Sequence, residues 1–93
     1  MTSIQSFVLR RMYYSDWAED LDHADQAKIE MSNMDGSDRS ILVDHGVLWP
    51  NGLSLDVNKN ILYWCDAFWD KIDSIDLSSP NLTSKVCTHK KHY

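Results

Sequence analysis

One five-residue pattern occurs twice in this chain and limits its fold more than any other feature. Residues 12–16 read MYYSD and residues 62–66 read LYWCD, so each copy has an apolar residue, a tyrosine, an aromatic residue, a small residue and an aspartate. A lysine-isoleucine-acid triplet follows each copy, at residues 28–30 and 71–73. Two matched stretches in the same order indicate an internal repeat.

The length of the repeat indicates what kind of unit it encodes. Tyr13 to Lys28 spans 15 positions, whereas Tyr63 to Lys71 spans 8, so the first copy contains seven extra residues. The two tyrosines are 50 positions apart, and the period is 43 once those seven residues are removed. A period of about 40–45 residues is typical of a β-propeller blade, which needs four short strands and their turns.

Local patterns predict β-strands throughout and a meander as the fold. Both copies of the five-residue pattern are rich in aromatic residues and are flanked by polar ones, as half-buried strands are. Ile29 and Met31 alternate with polar residues, Asp35 and Gly36 mark a hairpin turn, and residues 39–43 form the return strand. No window shows a sustained apolar period of 3.6, so no amphipathic α-helix is expected.

Size and charge exclude several classes of function. The chain has 93 residues and a formal net charge of −5, which disfavours general nucleic-acid binding and favours basic partners. Its longest apolar run, residues 61–65, is far shorter than the roughly 20 residues that a membrane-spanning helix needs. The first twelve residues lack the apolar segment of a signal peptide. We therefore expect no nucleic acid among the partners, no direct membrane insertion and no signal peptide in this chain.

Taken together, the motifs resemble LDL-receptor class B repeats, also called YWTD repeats. The matching stretches are residues 13–16 (YYSD), 34–37 (MDGS), 49–56 (WPNGLSLD) and 63–66 (YWCD), together with Arg39. Short motifs recur by chance, so the combination is far more specific than any one of them. The resemblance covers roughly residues 11–77, and residues 47–77 look closest to the large LDL-receptor-related endocytic receptors.

The resemblance implies an all-β fold of antiparallel, four-stranded blades from a six-bladed β-propeller. In that family each repeat straddles two blades, which places residues 13–17 in the second strand of one blade and residues 53–56 in the first strand of the next. The chain then holds a partial propeller of about one and a half blades, and two repeats cannot close a ring. We therefore expect a propeller fragment.

The expected organisation has four parts. Residues 1–11 are a lead-in and a candidate remnant of a preceding strand. The first repeat covers residues 12–60, with an acidic insert at 18–26, and a truncated second repeat covers residues 61–79. Residues 80–93 are a divergent basic tail, which we expect to be a frayed end.

Individual roles also follow from the resemblance. Structural roles, in packing and in hydrogen bonds rather than in acid–base chemistry, are expected for the repeat-signature residues Tyr13, Tyr14, Asp16, Asp35, Gly36, Pro50, Asn51, Gly52, Tyr63, Trp64 and Asp66. The candidates for a ligand-facing surface are the loop residues Trp49 and Asn51 and the acidic insert residues Glu19, Asp20 and Asp22. The chain departs from the family pattern at three positions, with Tyr14 in place of Trp and with Ser15 and Cys65 in place of Thr.

The implied function is a non-catalytic, extracellular protein-interaction module within an LDL-receptor-related receptor that binds ligands and takes part in receptor-mediated endocytosis. The expected partners are protein ligands of that receptor and neighbouring EGF-like or propeller repeats, and no cofactor is expected. The expected location is the extracellular side of the plasma membrane. Asn81 begins an Asn-Leu-Thr sequon for N-glycosylation, which is used only if the chain enters the secretory pathway.

An enzyme is the alternative hypothesis. Calcium-dependent lactonases resembling gluconolactonase are also six-bladed propellers and carry a similar Pro-Asn-Gly-Leu line. That resemblance places Asn51 and Asp66 near a metal ion on the propeller axis, where oxygen ligands suit calcium.

The remaining metal-ligating and thiol residues give weaker signals. The acidic insert lacks the spacing of an EF-hand, and Cys87, His89 and His92 lack a second pair of zinc ligands. Cys65 and Cys87 can form one disulfide or none. The strand phase of Cys65, opposite to that of Trp64, favours a buried thiol.

Overall fold

Eight β-strands and a short 3₁₀ helix make up the part of the chain that the structure describes. The structure is a computed structural model; it describes residues 2–6, 10–79 and 84–89, with side chains placed from residue 10 to residue 79. The strands are β1 Thr2–Ser6, β2 Arg11–Asp16, β3 Lys28–Asn33, β4 Ser40–Val43, β5 Pro50–Asp56, β6 Ile61–Asp66, β7 Lys71–Asp76 and β8 Ser84–His89. The 3₁₀ helix, Leu21–Gln26, lies between β2 and β3.

The strands form two antiparallel sheets in chain order. The first sheet contains β1 to β4 and the second contains β5 to β8. Every hydrogen-bonded neighbour is also the neighbour in sequence, so short connections suffice and each sheet is a meander. None of the helices in the described ranges has the length and the apolar composition needed to cross a membrane.

The turn between β3 and β4 shows how local chemistry sets the strand pairing. Gly36 adopts a φ of 86°, a left-handed conformation that glycine tolerates without steric cost. One carboxylate oxygen of Asp35 accepts the backbone N–H of Ser37 at 2.9 Å and its hydroxyl at 2.6 Å. The hydroxyl of Ser37 holds the pKa of Asp35 below its ordinary value. The predicted hairpin turn is confirmed.

Within residues 10–79, buried apolar side chains form a hydrophobic core between the two sheets. The first sheet contributes Tyr13, Ile29, Leu42 and Val43, and the second contributes Leu62, Trp64 and Ile75. In β2 and β6, buried side chains alternate with more exposed ones, so each of these strands turns one face toward the core. Burial of this apolar surface against the neighbouring sheet supplies most of the driving force for folding.

Residues that correspond in the two repeats differ in burial. Tyr13 is 3% exposed, whereas its counterpart Tyr63 is only half-buried. Conversely, Trp64 is 1% exposed, whereas its counterpart Tyr14 is half-buried. The two sheets therefore stack in the same orientation, with opposite faces in contact. Each sheet leaves one face outward, and a further sheet stacked in the same way would cover it.

Most of the predicted fold is confirmed, and its extent is larger than predicted. The chain is all-β with four-stranded antiparallel sheets, but there are two such sheets rather than about one and a half. The difference comes from β1, inside the lead-in, and from β8, inside the tail. The expectation that the tail is frayed is wrong over Ser84–His89, because these residues pair with β7.

One further expectation needs correction. Cys65 is exposed rather than buried, because only the opposite face of β6, which carries Trp64, meets the other sheet. The prediction that Cys65 and Trp64 lie on opposite faces is confirmed. The acidic insert contains a 3₁₀ helix, which a search for a period of 3.6 does not detect. Asn81, the predicted glycosylation site, and His92 lie outside the described residues, and the side chains of Cys87 and His89 do as well.

Candidate functional site

Three connections meet at one edge of the sheets, and we call this region the loop edge. They are the β2–β3 connection (17–27), the β4–β5 connection (44–49) and the β6–β7 connection (67–70). The N–H of Ala18 donates to the carbonyl of Leu48 at 2.9 Å, and the N–H of Ala67 donates to the carbonyl of Trp49 at 3.1 Å. The three connections are therefore joined to one another by backbone hydrogen bonds.

Asp66, the last residue of β6, holds two of these connections in place. It is 1% exposed, and its carboxylate accepts four backbone N–H groups. Leu48 and Trp49 donate from the β4–β5 connection at 2.8 and 3.2 Å. Phe68 and Trp69 donate from the β6–β7 connection at 3.1 and 3.3 Å. Charged acceptors make stronger hydrogen bonds than neutral ones, so Asp66 rigidifies the loop edge.

Two tryptophans tie the first sheet to the second. The indole N–H of Trp17 donates to the carbonyl of Pro50 at 2.7 Å, and that carbonyl also accepts the Ser15 hydroxyl at 3.1 Å. In the opposite direction, the indole N–H of Trp49 donates to the carbonyl of Ala18 at 3.1 Å. Each sheet therefore supplies one donor tryptophan to the backbone of the other.

A row of edge-to-face aromatic contacts runs from Trp49 along the loop edge. The Trp49 and Phe68 rings meet edge-to-face with their centroids 5.1 Å apart, and Phe68 and Trp69 do the same at 4.8 Å. Such pairs add about 0.5–1.5 kcal/mol each beyond the area that they bury. The row ends at Trp69, which is 40% exposed.

An open groove lies beside Trp69, between the 3₁₀ helix and the β4–β5 connection; we call it the loop-edge groove. Its volume is about 440 Å³. Apolar contacts are offered by Leu21, Ala24, Val47, Leu48 and Trp69. The remaining lining comes from Asp25, Asp44, His45 and Gly46.

The acidic insert has a defined local structure beside this groove. Asp20 precedes the 3₁₀ helix, and its carboxylate accepts the backbone N–H of His23 at 3.1 Å. The same oxygen lies 2.7 Å from Nδ1 of the His23 ring, and this hydrogen bond lowers the pKa of Asp20. Glu19 and Asp22 are exposed.

An ion pair between buried Glu30 and exposed Arg39 supports the outward face of the first sheet. The Glu30 side chain is almost fully buried, and Arg39 donates to it from Nε at 2.6 Å and from Nη2 at 3.2 Å. These bonds lower the pKa of Glu30 and raise that of Arg39. The Arg39 guanidinium also lies 5.2 Å from the centre of the Tyr14 ring, within cation–π range.

Comparison with known proteins gives the family. The family model described as low-density lipoprotein receptor repeat class B matches residues 10–57, which is about half of the chain. The chain belongs to the low-density lipoprotein receptor class B repeat family.

Among the relatives of this class B repeat chain, three are named receptors or receptor-like proteins. Low-density lipoprotein receptor-related protein 5-like protein from Homo sapiens is 38% identical over 65 residues, 70% of this chain and 23% of that protein. Vitellogenin receptor Yl from Drosophila melanogaster is 32% identical over 74 residues, 80% of this chain and 3% of that protein. Low-density lipoprotein receptor-related protein 8 from Gallus gallus is 39% identical over 53 residues, 57% of this chain and 6% of that protein. The chain thus spans less than a quarter of each.

A solved structure agrees with the fold. A chain in the crystal structure of a nidogen/laminin complex superimposes with a TM-score of 0.76 and 32% identity. The match covers 90% of this chain and 30% of that one. The two sheets are therefore part of a β-propeller.

The class B signature residues of the first repeat lie in and beside the first sheet. Tyr13 is buried in the core, Tyr14 is half-buried beside Arg39, and Asp16 is half-buried at the end of β2. Asp35 and Gly36 form the β3–β4 turn.

In the second sheet the class B signature residues divide between the two faces. Pro50, Trp64 and Asp66 are buried, whereas Tyr63 and Asn51 are half-buried and Gly52 is exposed. The Asn51 side-chain oxygen accepts the N–H of Gly52 at 3.1 Å. The roles of these residues as a family signature stay predictions. The hydrogen bonds of Asp66 to backbone N–H groups agree with the structural role that was expected for it.

The metal site of the lactonase hypothesis gains no support from this geometry. Asn51 is paired directly opposite Cys65, so the Asn51 and Asp66 side chains lie on opposite faces of the second sheet. The Asp66 carboxylate already accepts four N–H groups. Within residues 10–79, no group of three or more His, Cys, Asp or Glu side chains is arranged to hold a metal ion.

The predicted ligand-facing residues are not all equally accessible. Glu19, Asp20 and Asp22 are exposed on the insert, whereas Trp49 is half-buried and bonded to Ala18. Sequence reasoning did not identify the groove residues Leu21 and Asp44, because they come from segments with no shared motif, and it identified Asp25 only as one of the acidic residues of the insert. The seven extra residues of the first repeat were the one available signal, since they form most of the insert that lines the groove.

Proposed function

We propose that this chain is a non-catalytic protein-interaction segment of a receptor β-propeller, and that it binds protein ligands at the loop edge. The parent protein would be a low-density lipoprotein receptor-related receptor acting in ligand uptake by endocytosis, with the propeller on the extracellular side of the plasma membrane. Neighbouring propeller or EGF-like repeats would contact the outward faces and ends of this segment.

The observation that carries the proposal is the rigid construction of the loop edge. Four hydrogen bonds to Asp66 and the reciprocal bonds of Trp17 and Trp49 fix the connections before any ligand arrives. A surface that is already ordered loses little conformational freedom on binding, which favours affinity. The exposed aromatic surface of Trp69 adds a residue type that is common at the centres of protein interfaces.

Two comparisons support the same function. All three relatives described above carry receptor names, and the similar solved structure is that of a nidogen/laminin complex. A non-catalytic role is supported by Asp66, whose carboxylate is engaged by backbone amides and lies in the protein interior. No described feature favours a second function.

The experiment compares two edges of the propeller in the parent receptor. Cells expressing the receptor would be given fluorescently labelled secreted proteins, and uptake would be measured for a loop-edge variant, Asp22→Lys, and for an opposite-edge variant, Asp38→Lys. We expect Asp22→Lys to reduce uptake of at least one protein severalfold at equal surface expression, and Asp38→Lys to leave uptake unchanged. Equal uptake in both variants and in the wild type would contradict the proposal.

A further inference from the structure

The loop-edge groove is open and has apolar walls, with room for a long side chain. Its volume of about 440 Å³ lies within the roughly 300–1,000 Å³ that is typical of ligand pockets. Leu21 is 56% exposed and Trp69 is 40% exposed, so both present apolar surface to an incoming group. The packing of the two sheets against each other leaves both side chains accessible to solvent.

The groove is lined by two acidic side chains. Asp25 and Asp44 line it and are exposed. In the part of the chain that the structure describes, none of the lining residues is a lysine or an arginine. Lys71 lies beneath Gly46 and is paired with Asp73 at 3.1 Å, so its charge is already compensated. Nε2 of the His45 ring lies 3.2 Å from the Asp44 carboxylate.

Apolar walls with carboxylates favour one class of occupant. Lysine and arginine side chains bury an aliphatic stem on apolar surface and keep the charged group near water and acidic residues. An indole face also attracts a cation. An acidic side chain would be repelled, and a purely aliphatic one would make no charge-assisted contact with the carboxylates.

We propose that the loop-edge groove binds a lysine or arginine side chain of a protein ligand, with its aliphatic stem against Leu21 and Trp69 and its cationic group beside Asp25 and Asp44. The inference rests on the proposed function, because it names the partner chemistry of the same edge. It also gives the seven extra residues of the first repeat a role, since the insert supplies Leu21 and Asp25.

The test uses blocked tripeptides and the full chain at pH 7.4. Ac-Ala-Lys-Ala-NH₂ would be titrated against the ¹⁵N-labelled protein, with the indole signal of Trp69 as the reporter and with Ac-Ala-norleucine-Ala-NH₂ as a probe of the same stem without charge. We expect saturable shifts with the lysine peptide and about tenfold weaker binding of the norleucine peptide, because two partly exposed carboxylates contribute modestly. The double variant Asp25→Asn with Asp44→Asn should lose the difference between the peptides, and Asp38→Asn, at the opposite edge, should retain it.

Three results would overturn the inference: no saturable shift at Trp69, equal binding of the two peptides, or unchanged lysine preference in the double variant. Each can be separated from failure of the proposed function. If the parent receptor still takes up protein through the loop edge while the tripeptides fail, the groove assignment is wrong and the proposed function stands. If the tripeptides bind as expected but loop-edge substitutions leave uptake unchanged, the proposed function is wrong and the groove chemistry stands.

Discussion

Replacing Asp66 should destabilise the chain more than any other single change to a polar residue at the loop edge. In Asp66→Asn, the amide oxygen can keep the place of Oδ1 and its three N–H partners, but the amide nitrogen then faces the N–H of Leu48. Loss of one charge-assisted bond and an unpaired buried donor cost about 2–3 kcal/mol. Asp66→Ala leaves four N–H groups without this acceptor and should cost at least about 4 kcal/mol. A 93-residue domain has only roughly 5–14 kcal/mol in total.

The assay is urea unfolding followed by tryptophan fluorescence, since Trp49 and Trp69 both donate to Asp66. The matched control is Asp16→Asn at the equivalent position of the first repeat, which is half-buried and should change the free energy of unfolding by about 0.5 kcal/mol or less. Equal losses of stability for Asp66→Asn and Asp16→Asn would show that the four hydrogen bonds of Asp66 carry no special weight.

Two other predictions follow from the contacts between and within the sheets. Because Arg39 lowers the pKa of Glu30, that carboxylate contributes stability that is fully present above its unfolded value of about 4.3 and is lost as the pH falls through the lower folded value. The melting temperature of the wild type should therefore fall more steeply below pH 4.3 than that of Glu30→Gln in thermal scans, and parallel curves would count against this pair. Trp49→Phe removes the hydrogen bond to the Ala18 carbonyl and should cost about 1–2 kcal/mol in urea unfolding; a change near zero would show that this link between the sheets is unimportant.

The strands and the turns could be predicted from the sequence because their signals are local. The Asp35-Gly36 turn and the strand around Ile29 depend on neighbouring residues alone, and the structure has both. The alternation of burial expected around Ile29 is interrupted, because a register shift between Ile29 and Glu30 leaves both residues buried. The 43-residue period indicated in addition that the repeating unit is a propeller blade. Strand β8 was missed because the tail lacks the expected pattern and its pairing with β7 is set by the sheet rather than by its own residues.

Burial could not be predicted from the repeat, because equivalent residues have different neighbours. The phase of Cys65 was correct, yet only the stacking of the sheets decides that the Trp64 face is inside and the Cys65 face outside. A structural role for Asp66 was predictable from its place in the motif, but its four partners were not. The loop-edge groove could not be predicted either, because the packing of the sheets brings Leu21 and Trp69 together and no sequence motif links them.

Hydrogen exchange should be measured on this chain alone and on a version extended by the neighbouring repeats of the same gene. This measurement tests the claim that both sheets belong to a β-propeller in which further blades cover the outward faces. We predict that the extended protein protects amides in β2 and β6 more strongly than the 93-residue chain does, together with a single cooperative melt. Identical protection in both proteins would contradict the account, because the outward faces around Tyr14 and Tyr63 would then have no blade to meet.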